Sequence, residues 1–220
     1  MCKILIIVLS HTDNNNGVYD KFYDTQKKTW DSINVEGVTT LYNYGDANYN
    51  HIVDNKINVI TSEDHFPFNT GVKTLECFET ILNNNLEFDF IFRTNSSSYV
   101  DKQKLKDLLI GKPKINYYAG VAHVYQGIHY VSGSGIVLSK DLVKHLVDNK
   151  HKCRHDLIDD PMIGEILNGD NIYPEHLDRN DTVNELISVV DLNHFLYRLK
   201  SDDRMIDINN MYKIHELKSY

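Results

Sequence analysis

The sequence predicts an α/β fold built on one mixed, mostly parallel central sheet flanked by helices. Three observations lead to this prediction. The run Ile4–Leu9 is apolar throughout and rich in β-branched residues, which is typical of a strand buried on both faces of a sheet. Strand-like and helix-like segments then alternate along the chain. The length of 220 residues, with 41% hydrophobic and 25% charged residues, suits a single soluble domain and excludes collagen-like and wholly disordered chains.

The first half of the chain shows a regular succession of predicted elements. Apolar residues at helical spacing, among them Phe22 and Trp30, predict one helix, and those around Phe78 predict a second. Thr70 and Asp101 are placed to cap the two later helices. The elements, in order, are a strand at 4–9, a helix at 18–32, strands at 37–42 and 57–60, a helix at 70–82, a strand at 88–92 and a helix at 101–109.

The second half begins with residues 115–138, which alternate apolar and small side chains as strands do. The stretch Ser132-Gly133-Ser134-Gly135 interrupts them, and its glycines predict a tight strand turn or a close backbone approach. Ser139 is predicted to cap a helix at 140–147. A further helix is predicted to start near Asp160-Pro161, and a last one to span 205–217.

Charge and cysteine content exclude several classes of protein. Lys and Arg total 23 against 31 Asp and Glu, and this net charge of −8 lacks the broad positive field that nonspecific nucleic-acid binding requires. The three cysteines are far apart, with no zinc spacing, which favours a reduced compartment. No stretch has the length of a signal or membrane-spanning segment. We therefore expect no nucleic-acid partner, no membrane span and a cytoplasmic location.

Two polar segments follow buried strands and are candidates for ligand contacts. Because ligands of open α/β sheets bind beyond the carboxyl ends of the strands, side chains at these points are expected to face a ligand. Hydroxyl and amide groups donate to phosphate or sugar oxygens, and an arginine can pair with an anion. The alternative is a pair of solvated turns, since Asn and Ser are turn formers. The candidates are Ser10, His11 and Thr12 after the first strand, and Arg93, Thr94, Asn95, Ser96 and Ser97 after the strand at 88–92.

Three aspartates precede the helix predicted near residue 160. Asp156 and Asp160 are four residues apart and share a face if the segment is helical. Asp160 precedes Pro161, which fits an N-cap followed by proline at the first helical position. Asp160 can therefore be a structural cap. The functional alternative is a general base, with Asp159 as the neighbouring carboxylate.

The chain has eleven histidines, but neither an HxH nor an HExxH motif, so a dedicated zinc site is not expected. Most of these residues are interpreted as surface or packing histidines. His194 differs because Arg198 follows it by four residues. The two can form a cationic patch for a diphosphate, or they can belong to an amphipathic helical face.

Five short motifs follow one another along residues 3–170. They are Lys27-Lys28-Thr29-Trp30, Asn69-Thr70-Gly71-Val72-Lys73-Thr74, the run from Arg93 to Val100, the run from Tyr130 to Ser139, and Asp159-Asp160-Pro161-Met162-Ile163-Gly164. In this order they resemble motifs of the β-1,3-galactosyltransferase and Fringe superfamily of glycosyltransferases. The corresponding family motifs are approximately Arg-x-Thr-Trp, Asn-Leu-Thr-x-Lys-Thr, Lys-Thr-Asp-Asp-Asp-Thr-Tyr-Val, Tyr-x-x-Gly-x-Gly-Tyr-Val-Leu-Ser and Glu-Asp-Val-x-x-Gly.

The resemblance implies a GT-A fold, in which a Rossmann-like nucleotide half and an acceptor half form one domain. We expect this domain to span 1–185 and a helical tail, 186–220, to pack on it. The resemblance also implies an inverting transferase that moves a sugar from a nucleotide-diphosphate donor, with a UDP-sugar favoured, to a hydroxyl of a glycan acceptor. Asp160 matches the residue that acts in the family as the base on that hydroxyl.

The hypothesis assigns a role to each candidate residue. Ser10, His11 and Thr12 contact the nucleoside, Lys73 and Arg93 approach the diphosphate, and Ser96 and Ser97 lie under the donor sugar. Further donor candidates are Lys27, Thr94, Asn95, His194 and Arg198, and the acceptor candidates are Ser132, Gly133 and Ser134.

One departure from the family concerns the metal. The family's Asp-x-Asp carboxylates coordinate Mn²⁺ or Mg²⁺, whereas this chain has Asn95, Ser96 and Ser97, whose neutral oxygens bind hard cations poorly. Three alternatives follow. Lys73, Arg93, His194 or Arg198 neutralises the leaving diphosphate without a metal, which we favour. A metal is held weakly with help from Ser97, His176 or His194. Or the protein binds nucleotide-sugars or glycans without turnover.

The chain lacks the N-terminal membrane anchor of the animal family members. We therefore expect a cytoplasmic protein of a bacterium or of a virus-infected host cell.

Overall fold

A computed structural model describes residues 2–11, 17–45, 51–53, 56–59, 70–154 and 156–218, with the side chains of all of these except 51, 53 and 56–59. Thr12 lies outside the described residues, as does Ile60 of the strand predicted at 57–60.

The helices and strands of the described residues are labelled in chain order. The helices are α1 (Val18–Lys28), α2 (Thr70–Asn83), α3 (Lys102–Leu109), α4 (Lys140–Asp148), α5 (Asp159–Gly169) and α6 (Arg204–Lys218). The strands are β1 (Ile4–Leu9), β2 (Val38–Gly45), β3 (His51–Val53), β4 (Lys56–Val59), β5 (Phe90–Asn95), β6 (Ser98–Val100), β7 (Tyr118–Gly120), β8 (Ala122–Tyr125), β9 (Ile128–Val131), β10 (Ile136–Ser139), β11 (Glu175–His176), β12 (Asn180–Val183) and β13 (Leu196–Lys200).

The central sheet of the described residues has eight strands in the order β11-β7-β10-β5-β1-β2-β4-β3. The pairs β11–β7, β5–β1, β1–β2 and β2–β4 are parallel, and the pairs β7–β10, β10–β5 and β4–β3 are antiparallel. The predicted α/β fold with a mixed, mostly parallel sheet flanked by helices is therefore confirmed. None of the helices among the described residues combines the length and apolar character needed to cross a bilayer.

Helices cover both faces of this sheet. Side chains alternate along each strand, so those of β1 divide between two apolar clusters, one on each face. Ile4, Ile6 and Val8 of β1 belong to one apolar cluster with residues of α1, α3 and α6. Leu5 and Ile7 belong to a second cluster with residues of α2, α4 and α5. Burial on both faces explains why β1 is apolar without interruption.

The register of β1 and β5 brings two chain segments together at one edge of the sheet. The strands run parallel, with Ile7 opposite Arg93 and Leu9 opposite Asn95. The pairing therefore continues three residues beyond the predicted end of β5. Arg93 and Asn95 are strand residues, and the prediction that they follow the end of this strand is wrong.

A smaller sheet, β12-β13-β6, lies beside the central one. Strand β13 runs antiparallel to β6, with Arg198 opposite Ser98. The helical face considered for His194 and Arg198 is therefore wrong, since Arg198 lies in a strand and His194 precedes it. The described part of the predicted helical tail, 186–220, contains this strand as well as α6, while the domain boundary at 185 stays a prediction.

Helix boundaries and caps follow the predictions with two differences. Helix α1 ends at Lys28, because the backbone of Thr29 leaves helical geometry, and a 3-10 turn follows at Trp30–Ser32. Asp101 caps α3 by accepting from the Lys104 amide at 3.0 Å, as predicted. Ser139 precedes α4, but its hydroxyl donates to Asp141 rather than capping.

The glycines of the Ser132–Gly135 stretch permit close approaches, as predicted. A Cβ on Gly135 would lie 2.4 Å from Cδ2 of Leu196 and 3.3 Å from Cε2 of Phe92. Gly135 therefore allows the smaller sheet to pack against β5 and β10.

We expect Gly135→Ala to lower the free energy of unfolding by about 1–3 kcal/mol, the usual effect of overpacking a close-packed core. Urea unfolding followed by circular dichroism measures the change. Gly169→Ala is the control, because a Cβ on Gly169 would meet nothing within 4 Å. Equal stability of Gly135→Ala and the unsubstituted protein would contradict the close approach.

Candidate active site

A cleft of about 600 Å³ opens at the carboxyl ends of β1 and β5. Its walls come from segments that are distant in sequence and meet through the strand pairings described above. The lining residues are Leu9, Ser10, His11, Tyr19, Thr70, Lys73, Arg93, Asn95, Ser96, Ser97, Ser132, Gly133, Ser134, Ile158, Asp159, Asp160, Arg198, Lys200 and Arg204.

Arg93 connects β5 to the start of α5 across the floor of the cleft. Its Nη2 donates to Oδ2 of Asp159, and its Nη1 donates to the carbonyl oxygen of Gly133. The hydroxyl of Thr74 on α2 also donates to Oδ2 of Asp159, at 3.1 Å. Arg93 and Asp159 are both buried, so Oδ2 of Asp159 is held by hydrogen bonds inside the protein.

Asp160 is bound through one carboxylate oxygen and leaves the other without a partner. Its Oδ2 accepts from the Gly133 amide at 3.0 Å. Its Oδ1 is buried and has no hydrogen-bond partner among the described residues. Helix α5 begins at Asp159 after Ile158, so Asp160 is the second helical residue and the cap prediction is wrong. Asp156 lies before the helix, where it pairs with Arg154.

Burial and the neighbouring Asp159 carboxylate raise the pKa of Asp160 to about 6, although the Gly133 amide and Arg93 act in the opposite direction. A carboxyl group with a pKa near neutrality can both accept and release a proton under ordinary conditions. Asp160 thus has a carboxylate oxygen without a hydrogen-bond partner among the described residues, and its pKa suits proton transfer near neutral pH.

The Ser132–Ser134 turn that holds Asp160 is itself fixed by Arg179. Nη1 of Arg179 donates to the hydroxyls of Ser132, at 2.7 Å, and Ser134. Its Nε and Nη2 donate to the two carboxylate oxygens of Asp181, at 2.6 and 3.1 Å. Sequence reasoning missed Arg179, because no local pattern indicates that β12 passes this turn.

Gly133 is the point where this turn meets the two charged groups. A Cβ on Gly133 would lie 2.8 Å from Nη1 of Arg93 and 3.4 Å from Oδ2 of Asp160. Any larger residue here would displace Arg93 or the carboxylate. The prediction of a close approach at this stretch is thus confirmed.

Positive charge dominates the cleft although the chain is acidic. The described lining residues include the five cations Lys73, Arg93, Arg198, Lys200 and Arg204 and two carboxylates. Arg204 pairs with Asp207 at 2.7 Å, but Lys200 makes no ion pair within the described part of the chain, and Arg198 reaches Asp181 only at 4.0 Å. An anionic ligand would therefore find charges that are not already neutralised. Lys200 of β13 and Arg204 at the start of α6 were not predicted, because no local sequence pattern indicates that β13 and α6 meet this cleft.

Most of the predicted site residues that the structure describes line this cleft, but four of them do not. Lys27 pairs with Asp31 at 2.9 Å and is not among the lining residues. Thr94 is fully buried behind the cleft, where its hydroxyl donates to the Ser134 carbonyl at 2.6 Å. His194 pairs with Asp191 at 3.2 Å, at the end of β13 away from Ser97. His176 lies on the edge strand β11 and contacts Asp178.

The residues that replace the family's metal ligands do not fit a divalent cation. Oδ1 of Asn95 accepts from the hydroxyls of Ser97 and Ser98, at 3.3 and 2.8 Å. The Ser96 hydroxyl donates to the Leu9 carbonyl at 3.1 Å. The oxygens are neutral and already bonded, whereas hard cations prefer carboxylates. Across the described ranges, no group of three or more His, Cys, Asp or Glu residues could hold a metal ion.

No protein-family model and no curated protein sequence matches the chain. Solved structures of similar shape include a glycosyltransferase involved in the glycosylation of the major capsid of PBCV-1, with a TM-score of 0.57 and 12% identity over 96% of this chain and 99% of that one. Another is the apo form of the glycosyltransferase GlyE of Streptococcus pneumoniae TIGR4, with a TM-score of 0.44 and 13% identity over 81% of this chain and 45% of that one. The first similarity shows that the chain has the fold of a solved glycosyltransferase.

Proposed function

We propose that the protein is an inverting glycosyltransferase that moves a sugar from a nucleotide-diphosphate donor to a hydroxyl of a carbohydrate acceptor. The observation that carries the proposal is Asp160, which lines a cleft rich in cations at the carboxyl ends of β1 and β5 and whose Oδ1 has no hydrogen-bond partner among the described residues. The shared fold with the glycosyltransferase of the PBCV-1 capsid system supports it. The resemblance to the β-1,3-galactosyltransferase and Fringe superfamily favours a UDP-sugar as the donor.

The donor is proposed to lie across the ends of the two central strands. Ser10 and His11 contact the nucleoside, and Ser96 and Ser97 lie under the sugar. Because both Nη atoms of Arg93 are bonded to Asp159 and Gly133, we assign the diphosphate to Arg198 and Lys200 instead. Their charges stabilise the leaving diphosphate without a metal.

The chemical step follows from the free oxygen of Asp160. Oδ1 takes the proton of the acceptor hydroxyl, and the hydroxyl oxygen forms a new bond to the anomeric carbon of the donor sugar. The bond from that carbon to the diphosphate oxygen breaks, and its electron pair leaves with the diphosphate. Attack from the face opposite the leaving group inverts the anomeric configuration.

A second candidate function is a protein that binds nucleotide-sugars or glycans without turnover. The observation that favours it is the neutral Asn95-Ser96-Ser97 sequence in place of the carboxylates of the family. Calorimetry with a panel of nucleotide-sugars, paired with a turnover assay, distinguishes the two. Binding without hydrolysis or transfer on any acceptor would favour the second.

We expect Asp160→Asn to reduce transfer by about 100-fold or more, because the amide cannot accept the acceptor proton. Donor affinity, measured by calorimetry, should be retained. The matched control is Asp156→Asn, which alters an exposed aspartate of the same segment and should leave transfer unchanged. Full transfer by Asp160→Asn would remove Asp160 from the mechanism.

The rate should also depend on pH through Asp160. Since the base must be ionised, we expect kcat/KM to rise with pH and to level off above about 6, the raised pKa of this carboxyl. Below that pH the rate should fall about tenfold per pH unit. A profile that is flat from pH 5 to pH 8, a range chosen to span that pKa, would contradict the assignment.

Removal of metal tests how the diphosphate charge is neutralised. Because the cleft supplies cations from its own side chains, we expect transfer to persist in EDTA. Lys200→Ala should raise the donor Kd about tenfold, since it removes a charged partner of the diphosphate. Lys144→Ala, at an exposed position on α4, is the control. Loss of transfer in EDTA with recovery on addition of Mn²⁺ would contradict the metal-independent step.

A further inference from the structure

Strands β8 and β9 form a two-stranded hairpin that is separate from both larger sheets. Its turn, Gln126-Gly127, has positive φ angles of 50° and 80°, as tight hairpin turns require. His123 pairs with Tyr130 and Tyr125 pairs with Ile128, so these four side chains share one face. The proposed function makes no use of this face.

The face carries an aromatic surface that is open to solvent. The rings of His123 and Tyr130 are 5.6 Å apart and inclined by 35°. Tyr125 is 49% exposed and His123 is exposed as well, whereas Tyr130 is half-buried. Exposed rings grouped on one face of a hairpin are less common on a soluble protein than scattered ones, and such groups are often binding surfaces.

The hairpin leads directly into the wall of the cleft. Strand β9 ends at Val131, and the Ser132–Ser134 turn follows it. The Ser132 amide donates to the Val121 carbonyl at 2.9 Å, which ties the base of the hairpin to this turn. The same turn binds Asp160 through the Gly133 amide.

Gly164 shows how near Tyr130 comes to the proposed base. Gly164 lies four residues after Asp160 on α5, and therefore on the same side of the helix. A Cβ on Gly164 would lie 2.6 Å from Cβ of Tyr130. Because Gly164 has no side chain, Tyr130 can pack against α5 one turn after Asp160.

The electrostatic environment of the two rings agrees with this position. Burial and then the Asp160 carboxylate raise the pKa of Tyr130. Burial and then the charges of Arg179 and Arg198 lower the pKa of His123. The charge of Asp160 thus acts on the Tyr130 ring, and the charges of Arg179 and Arg198 act on the His123 ring.

We infer that His123, Tyr125 and Tyr130 form a subsite for one pyranose ring of the acceptor, which is held so that a neighbouring hydroxyl reaches Asp160. The identification as an acceptor subsite rests on the proposed function. Tyrosine and histidine rings offer an apolar face for the C–H groups of a sugar and polar atoms for its hydroxyls. Among possible occupants, a sugar is favoured because β9 leads directly into the Ser132–Ser134 turn, which lines the cleft that holds the proposed base.

Saturation-transfer NMR with the methyl pyranosides of galactose, glucose, mannose and N-acetylglucosamine tests this subsite directly. We expect at least one probe to receive saturation, and the signal to fall about fivefold in Tyr130→Ala and in Tyr125→Ala. Tyr125 is exposed, so its variant is expected to fold normally even if Tyr130→Ala does not. Asp160→Asn should retain the signal, because it removes the base and leaves the rings in place.

Tyr173→Ala is the matched control. Tyr173 is 55% exposed, and its ring contacts His129, which points to the opposite face of the hairpin. This variant should bind the probes as the unsubstituted protein does. Equal signals in all tyrosine variants would overturn the subsite, as would concentration-dependent dimerisation that is lost in Tyr125→Ala while no probe binds.

A transfer assay separates failure of the subsite from failure of the proposed function. If the protein transfers sugar and Tyr125→Ala raises the acceptor KM about fivefold without changing donor hydrolysis, the subsite is supported. If transfer occurs and the acceptor KM is unchanged, the subsite is wrong and the proposed function stands. If no transfer occurs on any acceptor, the proposed function fails and the acceptor assignment fails with it, whereas probe binding that needs the tyrosines supports a sugar site on the hairpin.

Discussion

The buried ion pair between Arg93 and Asp159 is the interaction on which the cleft depends. It joins the end of a central strand to the start of α5, and its second guanidinium nitrogen holds the turn at Gly133. Removal of one partner of such a pair leaves an uncompensated buried charge, which typically costs about 3–5 kcal/mol. The position of α5, and with it the position of Asp160, therefore depends on this pair.

The pair also separates the roles of two adjacent carboxylates. Asp159 is paired with Arg93 and accepts a hydrogen bond from Thr74, so it anchors the start of α5. Asp160 keeps one free oxygen and experiences the negative charge of Asp159. Two neighbouring residues of one type thus acquire different properties from their surroundings alone, as paired carboxylates often do in enzymes.

The sequence was sufficient to predict the elements whose signals are local. The apolar run of β1, the spacing of α2 and the Asp101 cap all depend on residues within one or two turns of each other, and the structure has them. Strand β13 was missed because its partner β6 lies almost a hundred residues earlier in the chain. Four-residue spacing suggested a helix for His194 and Arg198, but pairing between distant strands overrides local spacing.

The residues of the candidate site also divide into those with a local sequence signal and those fixed by distant partners. Asp160 and the Ser132–Ser134 turn were identified from motifs, whereas Arg179 required knowledge of which distant strand passes behind that turn. The assignment of Arg93 to the diphosphate was plausible from the sequence, since no local pattern indicates that its guanidinium is bonded to Asp159. Long-range partners decide what a charged residue can do, and those partners become visible only in three dimensions.

The turn at Gly133 lies between two guanidinium groups, one from β5 and one from the segment before β12. Because both guanidinium groups donate hydrogen bonds to it, the turn orients the Asp160 carboxylate before any substrate arrives. On the proposed function, the electrostatic preorganisation of the base is built into the folded chain, so its alignment adds little to the reorganisation needed at each turnover. Mobility in such a protein would then serve the entry and exit of substrates rather than assembly of the base.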